Sequence, residues 1–359
     1  MSVPPPSDAS PWRQRDVVFA SHADAEAVRQ ELSAIAGCGK TLFLAGDETG
    51  SIVQCVRDRN DTHFREIAQF PLSAVFPLPE GPDGEIDIEG LDIHDGWLWV
   101  TGSHSLKRKK PKGSYDIAAL EKTKTDENRQ LLARIPLREG ANGIFSPVAT
   151  LQEWGAETLR AQCLPFAGKN SLRALLKDHR FLAPFLDLPS KENGLDIEGI
   201  TARGEMVWLG LRGPVIGRHA IILGLDLCAD DQATDGLACR KQPVDRVITY
   251  ALDLDGYGIR DLCLMGDDLL ILAGPTMGNS GFHAVYKVAG WPAPMPVVTR
   301  EDITLLIELP PKRSGDHAEG LCMIEEGDTR WLLIAFDAPH DQRLSAPGRV
   351  VLDAYPLGK

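Results

Sequence analysis

Three short stretches concentrate the residues that could do chemistry: Asp87-Ile88-Glu89-Gly90-Leu91, Asp196-Ile197-Glu198-Gly199-Ile200 and His317-Ala318-Glu319-Gly320-Leu321. In a strand, residues i and i+2 point to one side, so each Asp-x-Glu offers two carboxylates to the same space. Carboxylates gathered in one place must be neutralised. A hard divalent cation such as calcium does this with oxygen ligands, which makes Glu89, Glu198 and Glu319 candidate metal ligands. Arg260, aligned with the Glu position of the motif, would do part of it without metal. Crowding can also hold some carboxyls in the protonated state. A structural reading stands beside these. The carboxylates could accept backbone N–H bonds between repeats, and Gly90, Gly199 and Gly320 could serve close packing.

The elements that must position these residues form a repeat. Each motif is followed by a strand-like run: Trp97 to Gly102, Met206 to Leu211 and Trp331 to Phe336. Two weaker copies align with them, Ile35 followed by Thr41 to Gly46, and Ile259-Arg260-Asp261-Leu262 followed by Leu269 to Gly274. Strand, tight turn, strand is a hairpin signal. The anchors Ile35, Leu91, Ile200, Leu262 and Leu321 recur at one period, except that Leu91 and Ile200 lie nearly two periods apart. Third strands are expected at Arg129 to Leu137, Ala220 to Leu227, His283 to Val288 and Arg349 to Pro356. Such a repeat is the signature of a β-propeller. The expected fold is all-β, a propeller with five recognisable blades and room for a sixth. A helical insertion at residues 150–190, with a helix over 171–185, is the preferred account of the long gap. Its apolar residues are expected to roof the mouth.

Residues 1–15 read as a flexible lead-in, and residues 16–359 as the propeller. The strand from Asp16 to Ala20 would complete the last blade and remove a sheet edge. Residues 106–128, basic at Lys107 to Lys112, read as a mobile loop. Trp97, Trp99, Trp208 and Trp331 are expected in the core.

In a propeller the starts of first strands and the ends of second strands share one face. That face would hold Asp87, Asp196 and His317 beside the Glu positions Glu89, Glu198, Arg260 and Glu319. His104 and His340 lie just past second strands. Arg212, in Leu211-Arg212-Gly213-Pro214, brings a cation suited to a carboxylate or to a phosphate group.

Composition narrows the classes. Hydrophobic residues make up 43% and charged residues 25%, an ordinary globular balance. The 34 Gly and 25 Pro suit short strands joined by turns. A net charge of −13 disfavours nucleic acid and an anionic membrane as partners, and favours a soluble protein with a cationic ligand or metal, while the expected partner at the axial mouth is a small-molecule ligand or substrate. The seven cysteines stand singly with no CxxC, which points to a reducing cytoplasm rather than a disulfide scaffold. Residues Met1 to Arg15, with Pro4-Pro5-Pro6 and no apolar core, do not read as a signal peptide, and the sequence holds no apolar run long enough for a membrane helix, no Walker loop, no GxSxG elbow and no HExxH.

The run Lys191-Glu192-Asn193-Gly194-Leu195-Asp196-Ile197-Glu198-Gly199-Ile200, with Leu209 to Pro214, Glu89-Gly90, Thr101 to Ser105 and His317 to Gly320, carries a resemblance. It resembles a bacterial family known only as domain of unknown function 3616, from about Asp16 to Pro356. The resemblance implies a propeller and no established activity. More distantly the chain is similar to phytase-like and esterase-like propellers, whose active sites sit at the axial mouth. Their metal-binding patterns do not transfer here residue by residue. Two functions follow as expectations. One is a hydrolase of small esters, lactones or phosphoesters at the acidic mouth, with metal or carboxylate help. The other is a non-catalytic ligand-binding or protein-interaction propeller using the same face.

Overall fold

Five four-stranded sheets stand around a common axis. The computed structural model describes residues 13–20, 23–57, 63–113, 116–152, 158–240, 247–276, 281–309, 316–344 and 346–357. The chain opens with β1 (Arg13–Val18) and α1 (Ala23–Gln30). Blade 1 is β2 (Leu32–Cys38), β3 (Thr41–Gly46), β4 (Ser51–Arg57) and β5 (Phe64–Pro71). Blade 2 begins with β6 (Ile88–His94) and β7 (Trp97–Gly102). A short hairpin, β8 (Lys107–Arg108) with β9 (Thr123–Lys124), interrupts it before β10 (Leu132–Glu139) and β11 (Phe145–Pro147) complete the blade. The long connection holds β12 (Thr150–Leu151) paired with β13 (Leu159–Arg160), then β14 (Gln162–Cys163) on β10, then α2 (Leu172–Leu176).

Blade 3 is β15 (Asp196–Arg203), β16 (Met206–Gly213), β17 (His219–Ala229), with β18 (Leu237–Cys239) on its flank, and β19 (Val247–Asp253). Blade 4 is β20 (Gly258–Met265), β21 (Asp268–Gly274), β22 (His283–Val288) and β24 (Ile303–Leu309), while the small β23 (Val297–Val298) returns to β19. Blade 5 is β25 (His317–Glu326), β26 (Thr329–Asp337) and β27 (Arg349–Pro356), closed by β1. The first strands pack in a cycle, β2 on β6, β6 on β15, β15 on β20, β20 on β25 and β25 on β2. The ring therefore closes with five blades.

Alternation along the second strands builds the core. In β7, Leu98 and Val100 face blade 1, while Trp99 faces blade 3. The same division in every blade yields five apolar seams, one between each pair of neighbours. Trp99, Trp208 and Trp331 are buried in these seams as expected, and Trp97 is half-buried.

The long gap holds an insertion without a sixth blade, but the helix is much shorter than 171–185. Ser171 caps α2, its Oγ accepting from the Ala174 N–H at 3.3 Å. After Leu176 the chain turns, and Pro184 gives no N–H to extend a helix. The insertion also does not roof the axis. Leu172, Leu176, Leu182 and Leu186 fill the seam between blades 2 and 3, beside Trp99 and Leu209. His179 reaches Thr249 on the outer strand β19. Burial in an existing seam beats a cap over an open mouth because it removes each leucine fully from water.

Two further boundaries move. The closing strand starts at Arg13, inside the expected lead-in. The third strand of blade 2 starts at Leu132, because residues Glu127–Gln130 form a 3-10 turn. Within the expected loop 106–128, β8 pairs with β9 to form an arm.

The glycines of the repeat serve close packing. A Cβ on Gly199 would lie 3.1 Å from the Cα of Asp261, and one on Gly320 would lie 2.6 Å from Ile35 Cγ2. Backbone cannot yield as a side-chain tip can, so Gly199→Ala should destabilise by about 1–3 kcal/mol. Urea unfolding measures this, and an unchanged midpoint would show that the inner strands have slack.

Candidate functional site

All five first strands break register at one level. The ladder passes over Ser33, Glu89, Glu198, Arg260 and Glu319. Each is the extra residue of a β-bulge, a device that turns a side chain out of the regular alternation. The bulged residue stands at the mouth end of its strand, and the residue after it packs on the next blade. The aligned Glu positions of the motif are thus one ring of five bulges.

Arginines thread this ring. Arg212, at the end of β16, pairs with Asp196 and, at 2.7 Å, with Glu198. Arg260 binds Glu198 at 2.9 Å and also pairs with Glu319. Asp196, Arg212, Glu198, Arg260 and Glu319 so form one ionic chain from blade 3 to blade 5. Asp196 and Glu198 share one cation, Arg212. Burial still lifts Asp196 to about 6, against the pull of Arg212.

A second cluster sits on blade 2. Arg129, only 2% exposed, binds Glu85 and Asp87, each at 2.6 Å, and donates to Ser105 Oγ at 2.8 Å. Its backbone carbonyl accepts from the His104 N–H. His104 is 1% exposed, with its Nε2 3.2 Å from the Leu131 carbonyl, and burial pushes it down to about 4. It is a neutral clamp in the wall, not a group in the opening.

Glu89 differs from every other carboxylate of the ring. It is half-buried and takes no hydrogen bond or ion pair among the described residues. Burial, then Asp87, Glu198 and Asp196, hold its pKa well above the usual glutamate value, against the pull of Arg212. Burial and these acidic neighbours therefore disfavour the charged form of Glu89. On the neighbouring blade 1, just past β3, Asp47 is raised to about 7 by burial and by Asp337, Asp87 and Glu31.

His317 is exposed at the start of β25, its ring 6.3 Å from that of His283. Burial, with Arg260 and His317 nearby, pushes His283 down to about 3. His340 lies outside the site and builds a turn, its N–H donating to Asp316 at 2.8 Å.

The carboxylates expected to hold a metal have arginine neighbours. Arg260 bridges Glu198 and Glu319, so a guanidinium holds the place expected of calcium or another divalent ion. Among the described residues no three His, Cys, Asp or Glu side chains are grouped to hold a metal.

Arg129, Glu85 and His283 were not foreseen. Arg129 and His283 stand just before or at the start of third strands. A third strand begins where the second ends, at the mouth, so its first residues reach the same face. The family model for proteins of unknown function, DUF3616, matches residues 31–353. The chain belongs to this family. No curated protein matches it. Among solved structures, Myxococcus xanthus glutaminyl cyclase matches at 9% identity over 97% of this chain and 100% of its own, with a TM-score of 0.40. A glucose dehydrogenase-type oxidoreductase of Thermus thermophilus matches at 13% identity over 96% and 100%, with a TM-score of 0.38. Neither likeness bears on the reaction of this DUF3616 member.

Proposed function

We propose that this protein is a hydrolase of small esters or lactones, working by carboxyl acid–base chemistry at the axial mouth. The observation that carries this reading is Glu89. An unpaired carboxyl, its charge disfavoured by burial and acidic neighbours, stands among carboxylates that arginines hold in place. Paired carboxyls whose environments drive their pKa values apart suit acid and base roles. Glu89 donates its proton to the ester oxygen. Asp47, near 7, takes a proton from the attacking water. Water oxygen bonds the carbonyl carbon, the bond to the leaving alkoxide breaks, and Glu89 supplies the alkoxide's proton. Phosphoesters fit less well, because Arg129, Arg212 and Arg260 each already hold two carboxylates. The reading therefore favours uncharged or cationic substrates.

The test is a screen with p-nitrophenyl acetate, p-nitrophenyl butyrate and δ-valerolactone. Glu89→Gln should lower kcat/KM by about 10²–10⁴ with the melting point kept or raised, since no ion pair is lost. The rate should rise with pH through about 7 as Asp47 ionises. Wild-type protein that turns over none of these esters would leave the ligand-binding propeller as the better account. A Glu89→Gln variant with full activity would remove Glu89 from the chemistry.

A further inference from the structure

We infer that the arm around β8 and β9 docks on an anionic lipid surface. The arm leaves the wall at Leu106, one residue beyond the Ser105 that Arg129 holds. Between Lys107 and Lys124 the chain carries seven Lys or Arg against Asp116 and Glu121, in a protein of net charge −13. Two of those cations hold the arm to the body, Lys107 on Glu85 and Arg108 on Glu192, and Lys124 pairs locally with Asp126. Lys109, Lys110, Lys112 and Lys122 have no acidic partner among the described residues, and all four are exposed.

Within this basic arm the 3-10 helix Ile117–Glu121 lifts two aliphatic side chains into solvent. Ile117 is 77% exposed and Leu120 is 45% exposed. Arg108 bonds the Leu120 carbonyl and Ala119 is buried, so the turn is held in this attitude. Exposed aliphatics on an arm that also carries exposed lysines suit a bilayer interface, where the stems lie in apolar material and the ammonium groups meet phosphate. They suit a protein interface poorly. Lysine is depleted there, and two aliphatic residues fall far short of the roughly 1,000 Å² a specific complex needs. The body's negative charge does not cancel the attraction, since salt screens it beyond about 8 Å.

Each lysine near such a surface is worth roughly fivefold in partitioning. The experiment is co-sedimentation of the full chain with phosphatidylcholine vesicles, with and without phosphatidylserine. Binding is expected only with phosphatidylserine and should weaken with added salt. The K109E/K110E/K112E variant should partition on the order of a hundredfold less. The I117S/L120S variant should lose severalfold while ester hydrolysis and melting stay unchanged. Wild-type protein that ignores phosphatidylserine vesicles would overturn the inference. So would unchanged binding by I117S/L120S, which marks mere charge attraction, or preferential capture by soluble polyglutamate, which marks an acidic protein partner.

Discussion

Replacing Arg260 with methionine should lower the unfolding free energy by about 3–5 kcal/mol. Arg260 is 5% exposed and stands between two carboxylates, Glu198 and Glu319, that are also buried. Methionine keeps the stem's apolar packing, so the loss reports the charge and not a cavity. Two carboxylates are then stranded near each other, with Arg212 left to hold Glu198 alone. Removing one partner of a buried pair is far more costly than replacing both, because the remaining charge has lost its compensation. The double variant Arg260→Met/Glu319→Gln should therefore recover about 1–3 kcal/mol. Acid should narrow the gap between Arg260→Met and the parent, since protonation removes the stranded charges. Arg260→Lys should fall between the two, as one ammonium cannot fork to both carboxylates. Urea unfolding at neutral and acid pH measures all four. A single-variant loss below about 1 kcal/mol, the range of exposed pairs, would show that water reaches the ring and that the ionic chain is not structural.

The same residues show what the sequence made legible. Asp-x-Glu-Gly recurs because each blade places its first strand identically, so one motif revealed the architecture, the shared face and most of the ring. The bulge was less visible. A glycine inside a strand is its only mark, and Gly90, Gly199 and Gly320 admit close packing as an equal reading. The structure shows both at once: the residue before the glycine is bulged, and the glycine meets the next blade. Arg129 was out of reach for a different reason. It occurs once, follows a long arm, and has no counterpart in other blades for a repeat to expose. The expectation of a metal came from counting carboxylates before the arginines were placed. Three guanidiniums, each on two carboxylates, neutralise part of that charge. Asp261 shows the structural reading in pure form, since its carboxylate accepts the Leu321 N–H at 2.6 Å across the seam. The helix over 171–185 failed because leucine spacing alone cannot tell an amphipathic helix from a turn sequence that fills a groove.

Removing residues 1–18 should cost on the order of the whole 5–15 kcal/mol that holds a domain folded. β1 is the outer strand of the last blade, paired over six residues from Arg13 opposite Ala354 to Val18 opposite Arg349. It also touches the outer strand of blade 1, where Val17 and Val18 meet Phe64 and Arg65 in parallel. One strand thus joins the first and last blades of the ring. Val17 is fully buried in the seam between them. Arg15 is buried against the Trp331 ring and pairs with Glu326, which Arg57 of blade 1 also holds. Without β1 the edge of β27 lies open, a template for pairing with other chains. Glu326 loses one of its two cations, and the seam between blades 5 and 1 loses an apolar wall. The truncated chain should aggregate or melt far below the parent. A synthetic peptide of residues 11–20 should restore the transition by adding back as a strand, because main-chain pairing needs no covalent link. Arg15→Ala in the full chain should lower stability more modestly, by about 1–3 kcal/mol, since the strand pairing remains. Scanning calorimetry with and without peptide reads the result. A truncated chain that keeps the parent's melting point would mean that the ring closes through its inner strands alone.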